Sequence, residues 1–205
     1  MKQTRKTCRL LIAAGTDKGL AAILTSLRGL QVPEALQVMQ AYTMTQVRQK
    51  VFPAAGAEPA EILIVGMPLK DEEGIDTLLD MAGRNSRIKI LLLVRQEAYE
   101  QVVYQCRNLG VFVLSLPVKK QILMEAVRFM LAMHRQLQER DDELMRLRKN
   151  LSEIGLITKA KCLLIQEKHM SEEEAHYYLE KNAMDRSLSK KEVAGEIVRM
   201  FRKEM

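Results

Sequence analysis

The chain has 205 residues, of which 47% are hydrophobic and 28% are charged, so it is long enough for one ordinary domain and a small second one, and its composition excludes general disorder. The formal net charge of +6 is compatible with a nucleic-acid partner but is shared by many proteins. No stretch is as long and apolar as a membrane span, and the apolar run after the basic start ends at Gly15, which fits a strand better than a signal peptide.

The three cysteines, Cys8, Cys106 and Cys162, are scattered along the chain. Their spacing matches no metal-ligand motif, so we expect neither a disulfide framework nor a zinc site. Free thiols fit a reducing cytoplasm, and no metal or cofactor is predicted.

Residues 8–118 alternate short apolar runs with stretches of helical spacing. The apolar runs predict strands at residues 8–13, 61–65, 88–94 and 111–114, with a further strand at 35–41. Helices are predicted at residues 20–30, 44–51, 74–82 and 99–109. This alternation indicates an α/β fold with a doubly wound parallel sheet of five strands.

The order of elements in residues 8–130 resembles a response-regulator receiver domain, with Gly74 and Pro117 at two family landmarks. The resemblance implies a flavodoxin-like fold and a phosphorylation site with an acidic pair, an acceptor Asp, a hydroxyl and a Lys. The corresponding positions here are apolar or glycine: Ala13, Ala14, Gly66, Val94 and Leu116. Because aspartyl phosphorylation needs a carboxylate nucleophile and a bound cation, we expect a receiver-like domain that has lost this chemistry.

Four acidic residues lie near this degenerate site in sequence: Asp71, Glu72, Glu73 and Asp76. A solvent-facing loop and a helix start, where acidic side chains are favoured, explain them better than a substitute phosphorylation site. We expect this domain to be a docking and dimerisation platform that could sense a regulatory protein partner, rather than an enzyme.

From Lys119 to Ile165 the pattern is helical, with no proline and with Gly155 as the only glycine, so one long helix is expected unless it breaks near Gly155. The residues at two heptad positions along this helix are apolar, except for Arg140, which is the only charged residue among them. This seam predicts a homodimer through Met130, Met133, Leu137, Leu144, Leu147 and Leu151. The alternative is that the stripe packs against the chain's own C-terminal helices.

Two capping boxes follow the long helix. Ser171 precedes Glu174 by three residues, and Ser189 precedes Glu192 by the same spacing, so each serine is expected to start a helix. With residues 151–168 these helices predict a small three-helix domain. The expected organisation is a receiver-like domain at 1–120, a coiled-coil linker at 121–150 and a helical domain at 151–205.

Four sequence elements recur in order within this helical domain: ITKAKCLL (157–164), SEEEAHYYL (171–179), AMDR (183–186) and SKKEVAGEI (189–197). They resemble the ANTAR family in an Ala-Lys turn, an Ala-aromatic pair, an Ala-Met and a Val-Ala; Cys162 replaces the family's usual glycine. The resemblance implies binding of paired RNA stem-loops in a leader transcript and antitermination of transcription. On composition alone, the lysines and arginines would be a solvated face.

Eight residues in or beside these elements are predicted to bind RNA. The leading set is Lys161, Arg186, Lys190 and Lys191, and the second set is Lys159, Tyr178, Ala183 and Met184. Within the second set, Tyr178 is expected more in the core than on the surface, whereas Ala183 fits either helix packing or close approach of RNA.

Two other classes of function compete with this interpretation. A receiver-like domain followed by a helical module is also typical of DNA-binding transcription factors, and the helices could instead form a protein-only scaffold. An enzyme is not expected, because His134, His169 and His176 accompany no recognisable nucleophile or metal set and are predicted to lie on helix surfaces.

Overall fold

The computed structural model of the chain describes residues 7–71, 74–84 and 87–202. The chain forms two compact units, Met1–Gln138 (unit 1) and Glu139–Met205 (unit 2). Each unit has hydrophobic core residues of its own. None of the helices that the structure describes is both long and apolar enough to cross a membrane.

Unit 1 contains a five-stranded parallel sheet, as the sequence predicts. Its strands are β1 (Thr7–Ala14), β2 (Ala35–Ala41), β3 (Ile62–Gly66), β4 (Lys89–Arg95) and β5 (Phe112–Leu116). The spatial order is β2-β1-β3-β4-β5, and every pair is parallel. This is the 2-1-3-4-5 order of flavodoxin-like domains, whose strand order reverses between β1 and β3.

Helices cover both faces of the sheet. They are α1 (Asp17–Leu27), α2 (Met44–Val51), α3 (Ile75–Arg84), α4 (Tyr99–Cys106) and the long α5 (Lys120–Lys168), with a 3-10 turn at Gln96–Ala98. One core cluster packs α2, α3 and α4 on one face, and the other packs α1 and the beginning of α5 on the opposite face. Because the central strands are buried on both sides, their sequences are continuous apolar runs rather than alternating ones.

The long helix α5 continues through Gly155 without a break. Its buried positions in unit 1 include Val127, Leu131 and His134, which recur at helical spacing. The expectation of a surface position for His134 is therefore wrong, because this side chain lies on the stripe that faces the core and is only 7% exposed.

Unit 2 combines the later part of α5 with α6 (Glu172–Asp185) and α7 (Lys190–Arg202). Its core is built from small and aliphatic residues with one phenylalanine: Ala160, Leu164, Ala175, Leu179, Ala183, Val193, Ala194, Ile197 and Phe201. The buried alanines let the helices approach closely, which a module of this size needs in order to exclude water.

Both predicted capping boxes are present at the starts of α6 and α7. The Ser171 backbone N–H donates to Glu174 at 2.8 Å, and the Glu174 N–H donates to the Ser171 hydroxyl at 3.2 Å. Ser189 and Glu192 exchange the same two hydrogen bonds at 2.8 and 3.2 Å. Each box satisfies backbone donors that a helix start leaves unpaired.

Candidate functional site

Lys161 is held near the start of α6 by an ion pair. The helical turn that carries it also carries the fully buried Ala160, so the position of Lys161 on α5 is set by the core of unit 2. Its Nζ lies 2.9 Å from Oε1 of Glu172, the first residue of α6. This contact lowers the pKa of Glu172, so the carboxylate stays ionised beside the lysine at neutral pH.

Two further ion pairs join α6 to α7. The Arg186 guanidinium donates to both carboxylate oxygens of Glu196, at 2.6 and 3.0 Å. Lys190, the first residue of α7, pairs with Glu180 on α6. Three of the four leading candidates for RNA contact are thus engaged with carboxylates of the same unit.

The three ion pairs divide between the two ends of α6. Arg186 and Lys190 flank the turn between α6 and α7, and we call Met184, Arg186 and Lys190 the α6–α7 corner. Lys161 is at the other end of α6, and fourteen helical residues span roughly 20 Å. The structure therefore brings Arg186 and Lys190 together and separates Lys161 from them.

Unit 2 has no excess of positive charge. Residues 139–205 contain 14 lysines and arginines and 14 aspartates and glutamates. Of the predicted contacts, the side chains of Lys159 and Lys191 form no ion pair or hydrogen bond with the residues that the structure describes. The Lys159 side chain is exposed. Recognition of a polyanion by this unit has to come from where individual cations lie rather than from bulk charge.

The second set of candidates divides between surface and core. Met184 is 80% exposed, and Ala183 beside it is only 7% exposed and packs in the core of unit 2. Tyr178 is 39% exposed, so the expectation that it is a core residue is wrong.

A cavity of about 520 Å³ opens in unit 1 at the carboxyl ends of the strands. In doubly wound sheets, ligands bind at the carboxyl ends of the strands where the strand order reverses, which here is between β1 and β3. Ala14, Gly66 and Leu116, three of the five predicted degenerate positions, line the cavity. Ala13 and Val94 do not line it, because they face the core on the other side of the sheet.

The cavity offers no carboxylate among the described residues that line it, and Arg95 is the only charged one. Of the nearby acidic residues, Asp71 accepts a hydrogen bond from the Thr45 backbone N–H at 3.2 Å. Glu72 and Glu73 lie outside the described residues. Among the described residues, the lining therefore contains no carboxylate of the kind that accepts a phosphoryl group or binds Mg²⁺ in such a site.

The helical unit matches a known family: residues 145–198 match the ANTAR domain. Among curated protein sequences, none matches this chain significantly. Solved receiver domains of other proteins share the fold of unit 1 at low identity.

One similar structure is the signal receiver domain of an HD domain-containing protein from Pseudomonas fluorescens Pf-5, with 22% identity and a TM-score of 0.53; the match covers 68% of this chain and 97% of that one. Another is a response regulator receiver domain protein from Clostridium thermocellum, with 15% identity and a TM-score of 0.53, covering 63% of this chain and 98% of that one. At these identities the likeness shows the fold of unit 1.

Proposed function

We propose that this chain is an RNA-binding regulator of transcription antitermination that binds stem-loop RNA in leader transcripts. The chain carries an ANTAR domain at residues 145–198, preceded by a domain of receiver fold. Both families are regulatory rather than enzymatic. The single observation that carries the proposal is the ANTAR match, which spans all four of the sequence elements that contain the predicted contacts.

A stem-loop suits the distribution of charge on unit 2. The loop of a hairpin presents unstacked bases, and its flanking phosphates can be contacted one at a time by lysine and arginine. To contact those phosphates, Arg186 and Lys190 break their ion pairs with Glu196 and Glu180. The side chains of Lys159 and Lys191 have no ion pair among the described residues that would have to break. The exposed Met184 at the α6–α7 corner offers an apolar surface for a base.

The receiver-like unit is proposed to regulate without phosphorylation. The described lining of its strand-end cavity has no carboxylate and has Gly66 at the acceptor position, and glycine cannot carry an aspartyl phosphate. A protein partner that binds one state of this unit better than another would shift the population of RNA-binding chains.

Two adjacent stem-loops require two ANTAR modules, and a homodimer supplies them. The proposed seam on α5 runs through Met133, Leu137, Leu144, Leu147 and Leu151, whose side chains are 38–69% exposed. Met130 is left out of this seam, because it is 4% exposed and packs in the core of unit 1. Linked binding of two hairpins raises the affinity without any new contact.

Identification of RNA that crosslinks to the protein tests this proposal. The protein is tagged, crosslinked in cells and purified under denaturing conditions, and the bound RNA is sequenced. We expect leader regions with two neighbouring stem-loops next to a terminator to be enriched over the same purification from a Lys159→Ala/Lys191→Ala variant. Equal recovery of all transcripts from both proteins contradicts it.

A further inference from the structure

Three metal-ligating side chains meet at the amino-terminal edge of the sheet, on the opposite edge from the strand-end cavity. Cys8 lies at the beginning of β1, Glu61 immediately precedes β3, and His134 projects from α5. We propose that these three side chains bind a thiophilic divalent cation, for which Zn²⁺ is the closest chemical match. The proposal concerns unit 1 alone and does not depend on RNA binding.

The donor atoms are already close enough for one ion. A sulfur, a nitrogen and a carboxylate oxygen from the three residues lie within 4.8 Å of one another. His134 Nε2 is 3.6 Å from Glu61 Oε1. Ligands of tetrahedral zinc, bound at about 2.0–2.3 Å, lie roughly 3.5 Å apart, so donor atoms within 4.8 Å of one another need shifts of no more than about 1 Å.

The imidazole of His134 has a nitrogen that is not fully satisfied. Its side chain is 9% exposed, and the buried Nε2 makes no hydrogen bond with a described residue, since Glu61 Oε1 lies 3.6 Å away, just beyond hydrogen-bond distance. An unsatisfied buried polar atom is costly, and native proteins leave few of them. A cation bound at Nε2 would remove this cost.

Glu61 is held in position by neighbours that can remain when the ion binds. The Arg9 backbone N–H donates to Oε2 at 2.9 Å, the Arg9 guanidinium lies 3.0 Å from Oε1, and the Gln138 amide donates to Oε1 at 3.1 Å. Oε1 already accepts two of these donors and Oε2 accepts one, so the remaining lone-pair site of Oε2 is where a cation can bind while these partners stay. Groups of this kind orient ligands in established metal sites.

Two effects oppose metal binding. Burial, with the negative charge of Glu61, raises the pKa of the Cys8 thiol to about 12, so the metal must displace a proton, which leaves to solvent. The positive charges of Arg9 and Lys89 act on the same cluster. With three protein ligands and two nearby cations, we expect a fourth position filled by water and an affinity below that of a four-ligand structural zinc site.

Co²⁺ titration of the full-length, chelator-treated protein tests the site. We expect one equivalent of Co²⁺ to give a sulfur-to-cobalt charge-transfer band and the visible bands of tetrahedral cobalt, and added Zn²⁺ to abolish both. Cys8→Ser removes the charge-transfer band. His134→Gln should weaken Co²⁺ binding at least roughly tenfold, because losing even a residue that only supports a metal ligand has an effect of that size.

Cys106→Ser is the matched control, because Cys106 is a free cysteine as buried as Cys8, at 3% exposed, and lies in the other core cluster of unit 1. It is expected to leave the cobalt spectrum unchanged. Absence of the charge-transfer band in the wild-type protein overturns the proposal even if a variant fails to fold. A band that persists in Cys8→Ser and disappears in Cys162→Ser also overturns it, because the ligand is then the exposed thiol.

Discussion

Arg186 at the end of α6 donates two hydrogen bonds, of 2.6 and 3.0 Å, to the carboxylate of Glu196 on α7. The pairing raises the pKa of Arg186 and lowers that of Glu196, so both groups are charged at neutral pH. Because the same planar donors suit a phosphate, the proposed RNA would compete with Glu196 for one guanidinium. Under the proposed function, the internal carboxylates of unit 2 would therefore set how readily its cations bind RNA.

This competition predicts opposite effects for Arg186→Ala and Glu196→Gln. Both variants break the same ion pair, but only Arg186→Ala removes a cation that can contact phosphate. We expect Arg186→Ala to weaken stem-loop binding and to reduce the slope of log affinity against log salt by about 1, and Glu196→Gln to strengthen binding. Fluorescence anisotropy over a range of salt concentrations measures both.

Lys18→Ala is the control for these variants, because Lys18 is an exposed lysine on α1 in unit 1 and should not affect RNA affinity. Equal losses of affinity in Arg186→Ala and Glu196→Gln would show that the pair only joins α6 to α7. Arg186 would then have no direct role in binding.

The proposed seam on α5 predicts a monomeric variant. In Leu144→Glu/Leu151→Glu, carboxylates replace apolar side chains that would face their copies across the seam. We expect the dimer dissociation constant to rise at least ~100-fold, which corresponds to about 3 kcal/mol. Light scattering after size exclusion measures it, and affinity for a two-hairpin RNA should fall to that for one hairpin.

Met145→Glu is the matched control for the seam, since Met145 is 60% exposed on the same helix but lies off the two heptad positions. It should leave the dimer intact. A wild-type protein that is monomeric at concentrations where it binds two hairpins would contradict the seam.

The cavity in unit 1 predicts that acetyl phosphate does not modify the protein. Mass spectrometry of the intact wild-type chain should show no added phosphoryl group. Gly66→Asp should be accommodated, because a Cβ at Gly66 meets Ile23 Cδ1 at 3.4 Å. It should also remain unmodified, because the described residues that line the cavity include no other carboxylate and no lysine. Phosphorylation of the wild-type chain would show that another carboxylate replaces the missing acceptor.

Acid is expected to destabilise unit 2. Ion pairs and capping bonds lower the pKa of five glutamates below the ordinary value of 4.5: Glu172, Glu174, Glu180, Glu192 and Glu196. A lowered folded-state pKa contributes stability that is present above pH 4.5 and is lost as the pH falls through the folded-state value. Far-UV circular dichroism between pH 7 and pH 2 follows the helices.

A Glu174→Gln/Glu192→Gln variant tests the capping part of this acid effect. Glutamine keeps a capping oxygen but does not titrate, so the loss of helicity between pH 4.5 and pH 2 should become smaller. Glu173→Gln, an exposed change in the same turn of α6, is the control and should leave the pH dependence unchanged. An unchanged profile in the double variant would contradict a capping origin.

Local patterns predicted most of the fold, and long-range contacts explain what they missed. The strand at residues 35–41 has the bounds of β2, because β propensity and flanking turns act locally. The surface prediction for His134 fails because its polarity favours solvent, whereas its position seven residues after Val127 on a buried helical stripe favours the core. That spacing could have revealed it.

The candidate sites were less predictable for a physical reason. Cys8, Glu61 and His134 are brought together by β1, the segment before β3 and α5, and no local spacing encodes that meeting. Similarly, the ANTAR elements identify Lys161 and Arg186 but not their partners Glu172 and Glu196, which depend on how three helices pack. Family resemblance therefore located the ANTAR module, whereas its ion pairs depend on the packing of its helices.

The most direct measurement compares binding of a two-hairpin leader RNA with binding of duplex DNA of the same sequence, under identical salt conditions. The account predicts that the wild-type protein prefers the RNA and that Lys159→Ala/Lys191→Ala loses this preference while remaining folded. Preference for the duplex, or no affinity for any stem-loop even when the chains are crosslinked as a dimer at low ionic strength, would contradict it.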